Sequence, residues 1–130
     1  MAHYFDTSAL AKLVIEEPET EALRAWLAEQ PRQPVACDLV RTELMRAVRR
    51  VAPERIARVR QVLDGLTLTE VTSAIFEAAG RLDPVVLRSL DAIHLAAALD
   101  LGDELEGLVT YDARLAESAE VLGVVALAPT

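Results

Sequence analysis

Five short runs of apolar and β-branched residues recur along the chain, at residues 3–5, 35–37, 67–71, 107–111 and 124–127. Helical spacing occupies the intervals between them. It is predicted from Ser8 onward, from Pro18 to Gln30, over 38–51, 54–66 and 72–82, from Ser89 as a cap to Leu101, and over 113–122. Short strands alternating with helices imply an α/β fold of three layers, a parallel sheet of about five strands with helices on both faces. Ligands of such sheets gather outside the carboxyl ends of the strands. This reading places Asp6 and Asp112 there, one ending the first strand and the other the fourth.

The 130 residues are expected to form one domain, 1–130. With 52% hydrophobic residues but only 4% aromatic ones, Leu, Val, Ile and Ala must fill its core. No apolar stretch approaches the ~20 residues that span a bilayer, so no membrane partner is expected. The first residues lack a charged segment before their apolar run, so no signal peptide is expected. The single cysteine, Cys37, excludes an internal disulfide and fits a reducing, cytoplasmic location. In its apolar run, Cys37 reads as a small buried hydrophobe.

The net charge of −8 is unevenly spread. Residues 41–60 carry seven arginines against Glu43 and Glu54, a local charge of +5, which leaves −13 for the rest of the chain. Arg46, Arg49 and Arg50 lie in this stripe. An arginine stripe in an acidic protein is either a surface for phosphates or a solvated helical face.

Four acidic residues stand out, each with two readings. Asp6 and Asp112 sit where a helix cap favours aspartate, so each is a cap or a ligand. Glu43 lies at the edge of a stripe formed by Val40, Leu44, Ala47, Val48 and Val51. It is either a half-buried functional carboxylate or one partner of a surface pair with Arg46. Between Leu90 and Leu101 the only polar side chains are Asp91, His94 and Asp100. A helix apolar nearly all round is a buried helix, and an ionised Asp91 within it wants a counter-charge, which a metal ion would supply. His94 reads first as a core histidine and second as a hydrogen-bond partner of that site. Ser8, Thr7 and Thr110 place hydroxyls beside the strand ends.

The segments Tyr4-Phe5-Asp6-Thr7-Ser8-Ala9-Leu10, Arg41-Thr42-Glu43-Leu44, Leu90-Asp91-Ala92-Ile93-His94-Leu95-Ala96 and Thr110-Tyr111-Asp112-Ala113-Arg114-Leu115 together resemble the PIN domain. More narrowly, they are similar to the VapC family of ribonuclease toxins. The resemblance implies a compact PIN-like fold with acidic residues at one end of its sheet. It also implies a Mg²⁺ or Mn²⁺ site of Asp6, Glu43, Asp91 and Asp112, supported by Ser8 and Thr110. The implied activity is metal-dependent hydrolysis of RNA phosphodiester bonds by an activated water. The implied partners are RNA, a VapB-like antitoxin, and a second copy of the chain in a homodimer and a toxin–antitoxin hetero-oligomer. Arg46, Arg49 and Arg50 are candidate RNA or antitoxin contacts.

Oxygen-only donors suit hard Mg²⁺ or Mn²⁺, and four clustered carboxylates would repel one another without a cation. A PIN-fold module that binds RNA or a partner without cutting is the alternative. A phospho-accepting receiver-like domain fits poorly, because Asp6 is alone after the first strand and Lys12 is the only lysine.

Overall fold

The computed structural model describes all 130 residues. The elements in chain order are β1 (Ala2–Phe5), α1 (Thr7–Val14), α2 (Thr20–Ala28), β2 (Gln33–Cys37), α3 (Leu39–Val51), α4 (Ile56–Asp64), β3 (Thr67–Thr69), α5 (Ser73–Gly80), α6 (Ser89–Leu99), β4 (Leu105–Val109), α7 (Ala113–Val121) and β5 (Ala126–Leu127). Short 3₁₀ turns precede α4 and β4. The five strands form one sheet in the order β3-β2-β1-β4-β5, and every neighbouring pair is parallel. No helix is long and apolar enough to cross a membrane.

Side chains alternate across a strand, so each buried strand feeds two cores. Phe5, Ala36 and Val109 turn to one face, where they meet Leu10 of α1, Leu23 of α2, Val40, Leu44 and Val48 of α3, and Val59 of α4. Tyr4, Val35, Cys37 and Leu108 turn to the other and meet Ile75 of α5, Leu95 and Ala98 of α6, and Leu115 of α7. The result is the expected three-layer arrangement, α1–α4 on one face and α5–α7 on the other.

Several boundaries differ from those read in the sequence. β4 ends at Val109: the Thr110 N–H still donates to the Leu127 carbonyl, but the Tyr111 N–H donates to the Ser8 hydroxyl instead of to the sheet. The last strand shortens to two residues. Val51, expected in the buried stripe of α3, is 70% exposed where the helix ends, while Val40, Leu44 and Val48 are fully buried. Ser89 is the first residue of α6 rather than its cap; Arg88 holds that position without a side-chain bond. The helix closes at Leu99, followed by Gly102 at φ 58, a left-handed conformation suited to glycine.

One glycine marks a close approach between strands. A Cβ on Gly107 of β4 would lie 3.1 Å from the Val125 carbonyl oxygen and 3.1 Å from Leu127 Cδ1. Gly107→Ala is expected to destabilise the fold by roughly 1–3 kcal/mol, the usual range for overpacking. Gly80, at the end of α5, meets nothing within 4 Å, and Gly80→Ala is expected to stabilise by about 0.5–1 kcal/mol. Denaturant unfolding of the two variants checks the opposite signs.

Candidate active site at the carboxyl end of the sheet

The chain builds β2 and β3 on one side of β1 before crossing to β4 and β5 on the other. The β1–β4 junction is therefore the topological switch point, where open α/β sheets place their crevice. Asp6 follows β1 directly, and Thr110 and Asp112 follow β4.

Asp6 is 5% exposed. It is the N-cap of α1, and its Oδ1 accepts from the Ala9 N–H at 3.0 Å and from the Ser8 hydroxyl at 2.7 Å. Thr110 donates to Asp6 Oδ2 at 2.6 Å, and its oxygen accepts the Asp112 N–H at 3.0 Å. Asp6 and Asp112 are thus coupled through one hydroxyl. Burial raises the Asp6 carboxyl above its ordinary range, and the bonds from Thr110, Ser8 and Ala9 only partly oppose this. Asp112 caps α7, accepting from the backbone N–H groups of Arg114 and Leu115. For both aspartates the capping reading holds, and the cap places the carboxylate in the crevice.

Glu43 does not pair with Arg46. Its Oε1 accepts from the Thr7 hydroxyl at 2.8 Å and meets His94 Nε2 at 2.6 Å. His94 is 2% exposed, so the reading of a core histidine holds for its burial, yet it also bonds the site directly. Its Nδ1 lies 2.8 Å from the Tyr4 hydroxyl, which in turn accepts the Cys37 N–H at 3.1 Å. Burial lowers the His94 pKa, but its hydrogen bonds to Cys37 and Glu43 outweigh this and push it up to about 10. Burial likewise raises Glu43, and His94 together with Thr7 overcomes that and holds it below its ordinary value. The ion pair spans 51 residues of sequence, a separation no local pattern reveals. Only the isolation of His94 on an apolar helix hints at a partner.

Asp91 corrects a different expectation. It lies in the first turn of α6, before the continuously buried stretch that starts at His94, and its side chain keeps 19% exposure. Its counter-charge is Arg88, whose Nε is 3.4 Å from Asp91 Oδ2 and whose other end, at Nη2, is 3.7 Å from Asp112 Oδ2. Arg88 is a site residue that the sequence reading misses, although a basic residue three positions before an acid on a helix is a readable pair. The most buried of the four acids is Asp6, not Asp91.

The carboxylates therefore gather at one end of the sheet in two linked groups. Thr110 joins the Asp6 carboxylate to the backbone N–H of Asp112, Arg88 reaches the carboxylates of Asp91 and Asp112, and Glu43 is tied to His94 beside Thr7. No three acidic, histidine or cysteine side chains meet closely enough to hold an ion in the arrangement seen. The donor set is nonetheless all oxygen, and Asp91 and Asp112 already share one positive group. That chemistry fits a hard divalent cation. Along α3 from Glu43, Arg46, Arg49 and Arg50 are exposed and together line a recess of about 220 Å³.

The PIN domain family model matches residues 3–121. Ribonuclease VapC47 of Mycobacterium tuberculosis is 46% identical over 130 residues, covering 97% of this chain and 96% of the relative. Ribonuclease VapC46 of the same organism is 42% identical over 130 residues, covering 99% and 98%. Among solved structures, Mycobacterium tuberculosis VapC20, described as a sarcin–ricin loop cleaving toxin, superposes with a TM-score of 0.79 at 18% identity, covering 98% of this chain and all of that one. A toxin–antitoxin complex from Klebsiella pneumoniae gives 0.76 at 22% identity, with 99% and 98% covered. These structural likenesses bear on the fold; the family rests on the sequence matches, which run through every segment carrying the four acids. The chain belongs to the PIN-domain family, and within it to the VapC ribonucleases.

Proposed function

We propose that the chain is a metal-dependent endoribonuclease that acts as the toxin of a toxin–antitoxin pair, with Asp6, Asp91, Asp112 and Glu43 as its catalytic carboxylates. The observation that carries the reading is the buried Asp6 at the β1–β4 switch point, joined to Asp112 through Thr110. A carboxylate this buried, and raised by that burial, is poised to gain from a cation. Asp6, Asp91 and Asp112 would hold Mg²⁺ or Mn²⁺, with Glu43 direct or through water. The bound ion would supply charge stabilisation at the scissile phosphate and a better nucleophile from water.

The chain's own residues set up the rest. Thr110 and Ser8 hold both oxygens of Asp6 in a fixed orientation, as partners of a metal-binding carboxylate do. His94 and Thr7 occupy Glu43 Oε1, and its Oε2 is left to orient a water. Arg88, 72% exposed at its side chain, can pass from its two aspartates to a phosphate oxygen. Arg46 and Arg50 continue the Glu43 flank by about one and two helical turns and offer a track for RNA phosphates. The proposed protein partners are a VapB-like antitoxin and a second copy of the chain, and the proposed location is cytoplasmic.

One observation favours a second reading, a PIN-fold module that binds RNA or a partner without cutting it: the acids do not close on a common point as they stand. RNA cleavage in the presence of Mg²⁺ or Mn²⁺ separates the two. Asp6→Asn is expected to lower the rate by about 10²-fold or more, chelation of the metal to abolish it, and Thr110→Val to lower it by about 10–100-fold. Cleavage at the wild-type rate by Asp6→Asn would exclude the nuclease reading.

The arginine track gives an independent expectation. Arg46→Ala and Arg50→Ala should weaken RNA binding about equally for all sequences. Each should also reduce the slope of log affinity against log salt by roughly one for every phosphate the arginine neutralises.

The Glu43–His94 pair sets a dependence on pH. His94 rises from 6.5 to about 10 in the folded chain, so its contribution to stability is complete below about pH 6.5 and is lost as pH climbs through about 10. Glu43 is depressed from 4.5, so its contribution is present above about 4.5 and is lost as acid protonates it. Metal-free wild type should therefore lose stability between pH 6.5 and 10, and His94→Gln should flatten that decline in denaturant titrations.

A further inference from the structure

A second feature opens beside the carboxylates. A cavity of about 650 Å³ lies between the loop of residues 83–88, the start of α6 and one face of α7. Asp91 forms part of its wall, so it is continuous with the acidic site. Its α7 side presents Arg114, Glu117, Ser118 and Val121, spaced i, i+3, i+4 and i+7 on a single helical face. Its opposite side carries Val86, 88% exposed, which with Val121 at 74% forms an apolar lining that no protein group covers.

We infer that this cavity is a nucleobase subsite, which takes the unpaired base next to the scissile phosphate and prefers a base carrying an amino group, guanine above all, over uracil. The inference rests on the ribonuclease reading and names the part of the substrate that reading leaves open. The volume lies within the range of small-ligand sites and suits a mononucleotide. Charge is graded along the cavity in the order a nucleotide requires. Arg88 and Arg114 stand at the end near Asp91 and Asp112, where a phosphate would lie. Glu117 and Ser118 follow about one helical turn, ~5 Å, further along α7, about the step from phosphate to base.

Glu117, with Asp83 across the cavity, disfavours a second phosphate there. A carboxylate accepts N–H groups from a base edge. Guanine can give one carboxylate both its N1–H and its amino group, and cytosine or adenine an amino hydrogen. Uracil has a single N–H between two carbonyl oxygens that the carboxylate repels. Val86 and Val121 provide apolar surface for the base faces. Reading of this kind needs a base free of its helix, hence single-stranded RNA or a loop.

The experiment pairs binding with cutting. The four nucleoside 3′-monophosphates are titrated into the full-length, metal-free chain and followed by amide NMR, and the cleavage positions of wild type and Glu117→Gln are mapped on an RNA of mixed sequence. Guanosine 3′-monophosphate is expected to shift the amides of 114–121 and to bind about tenfold tighter than the uridine compound. Glu117→Gln should erase that difference while both nucleotides still bind, and should flatten the base preference beside the cut. Equal affinity for the four nucleotides, or shifts confined to other regions, would overturn the subsite. RNA cut by wild type with no base preference would also overturn it and leave the nuclease standing. Selective nucleotide binding with no cleavage of RNA would support the subsite and remove the nuclease reading instead.

Discussion

Asp6 has to keep a carboxylate at 5% exposure with hydrogen bonds as its direct partners and His94 as its cationic influence. A buried charge is tolerated only when its lone pairs are satisfied, and here three donors from two segments meet that demand. Ser8 and the Ala9 N–H come from the first turn of α1, and Thr110 comes from the end of β4. The same bonds pull the ends of the two central strands together. Ser8 takes part twice, donating to Asp6 and accepting the Tyr111 N–H, so the path of the chain after β4 is fixed by the groups that fix Asp6. Asp112 inherits its place from that path. The capping role and the proposed catalytic role therefore have one structural cause.

The second tie crosses the edge of the sheet. Glu43 belongs to α3, in the layer of α1–α4, and His94 to α6, in the opposite layer. Their contact at 2.6 Å joins the two layers over the carboxyl end of the sheet, and Tyr4 anchors the imidazole from the central strand. Removing Glu43 leaves the buried His94 imidazole without its partner, whereas removing His94 leaves a carboxylate that is half-buried and still held by Thr7. Asp91 and Asp112 are handled differently. They are half-buried and share Arg88, an exposed cation on a flexible stem. Two acids held by fixed hydrogen-bond partners and two that share a displaceable counter-charge suit a site that admits both an ion and a phosphate.

Much of this is legible in the chain and some is not. The alternation of strand and helix, and the placing of Asp6 and Asp112 at strand ends, follow from local periodicity and capping preference. Those signals depend on neighbours within a few residues. The partners Glu43 and His94 lie 51 residues apart, and neither periodicity nor charge pattern reaches so far. Arg46 is the obvious local partner for Glu43, yet the carboxylate meets the buried His94 imidazole instead, while the Arg46 guanidinium stays exposed to water. Asp91 looks stranded in the sequence, but Leu90 before it is 49% exposed and burial along α6 starts only at Ala92. Solvent at the helix start and Arg88 one turn before relieve its charge.

The central claim is that these carboxylates jointly bind a divalent cation, and calorimetric titration with Mn²⁺ tests it most directly. Wild type should show one saturable binding event that disappears in Asp112→Asn, a variant that keeps a side-chain oxygen able to cap α7. No saturable binding by wild type, or unchanged binding by Asp112→Asn, would contradict the account.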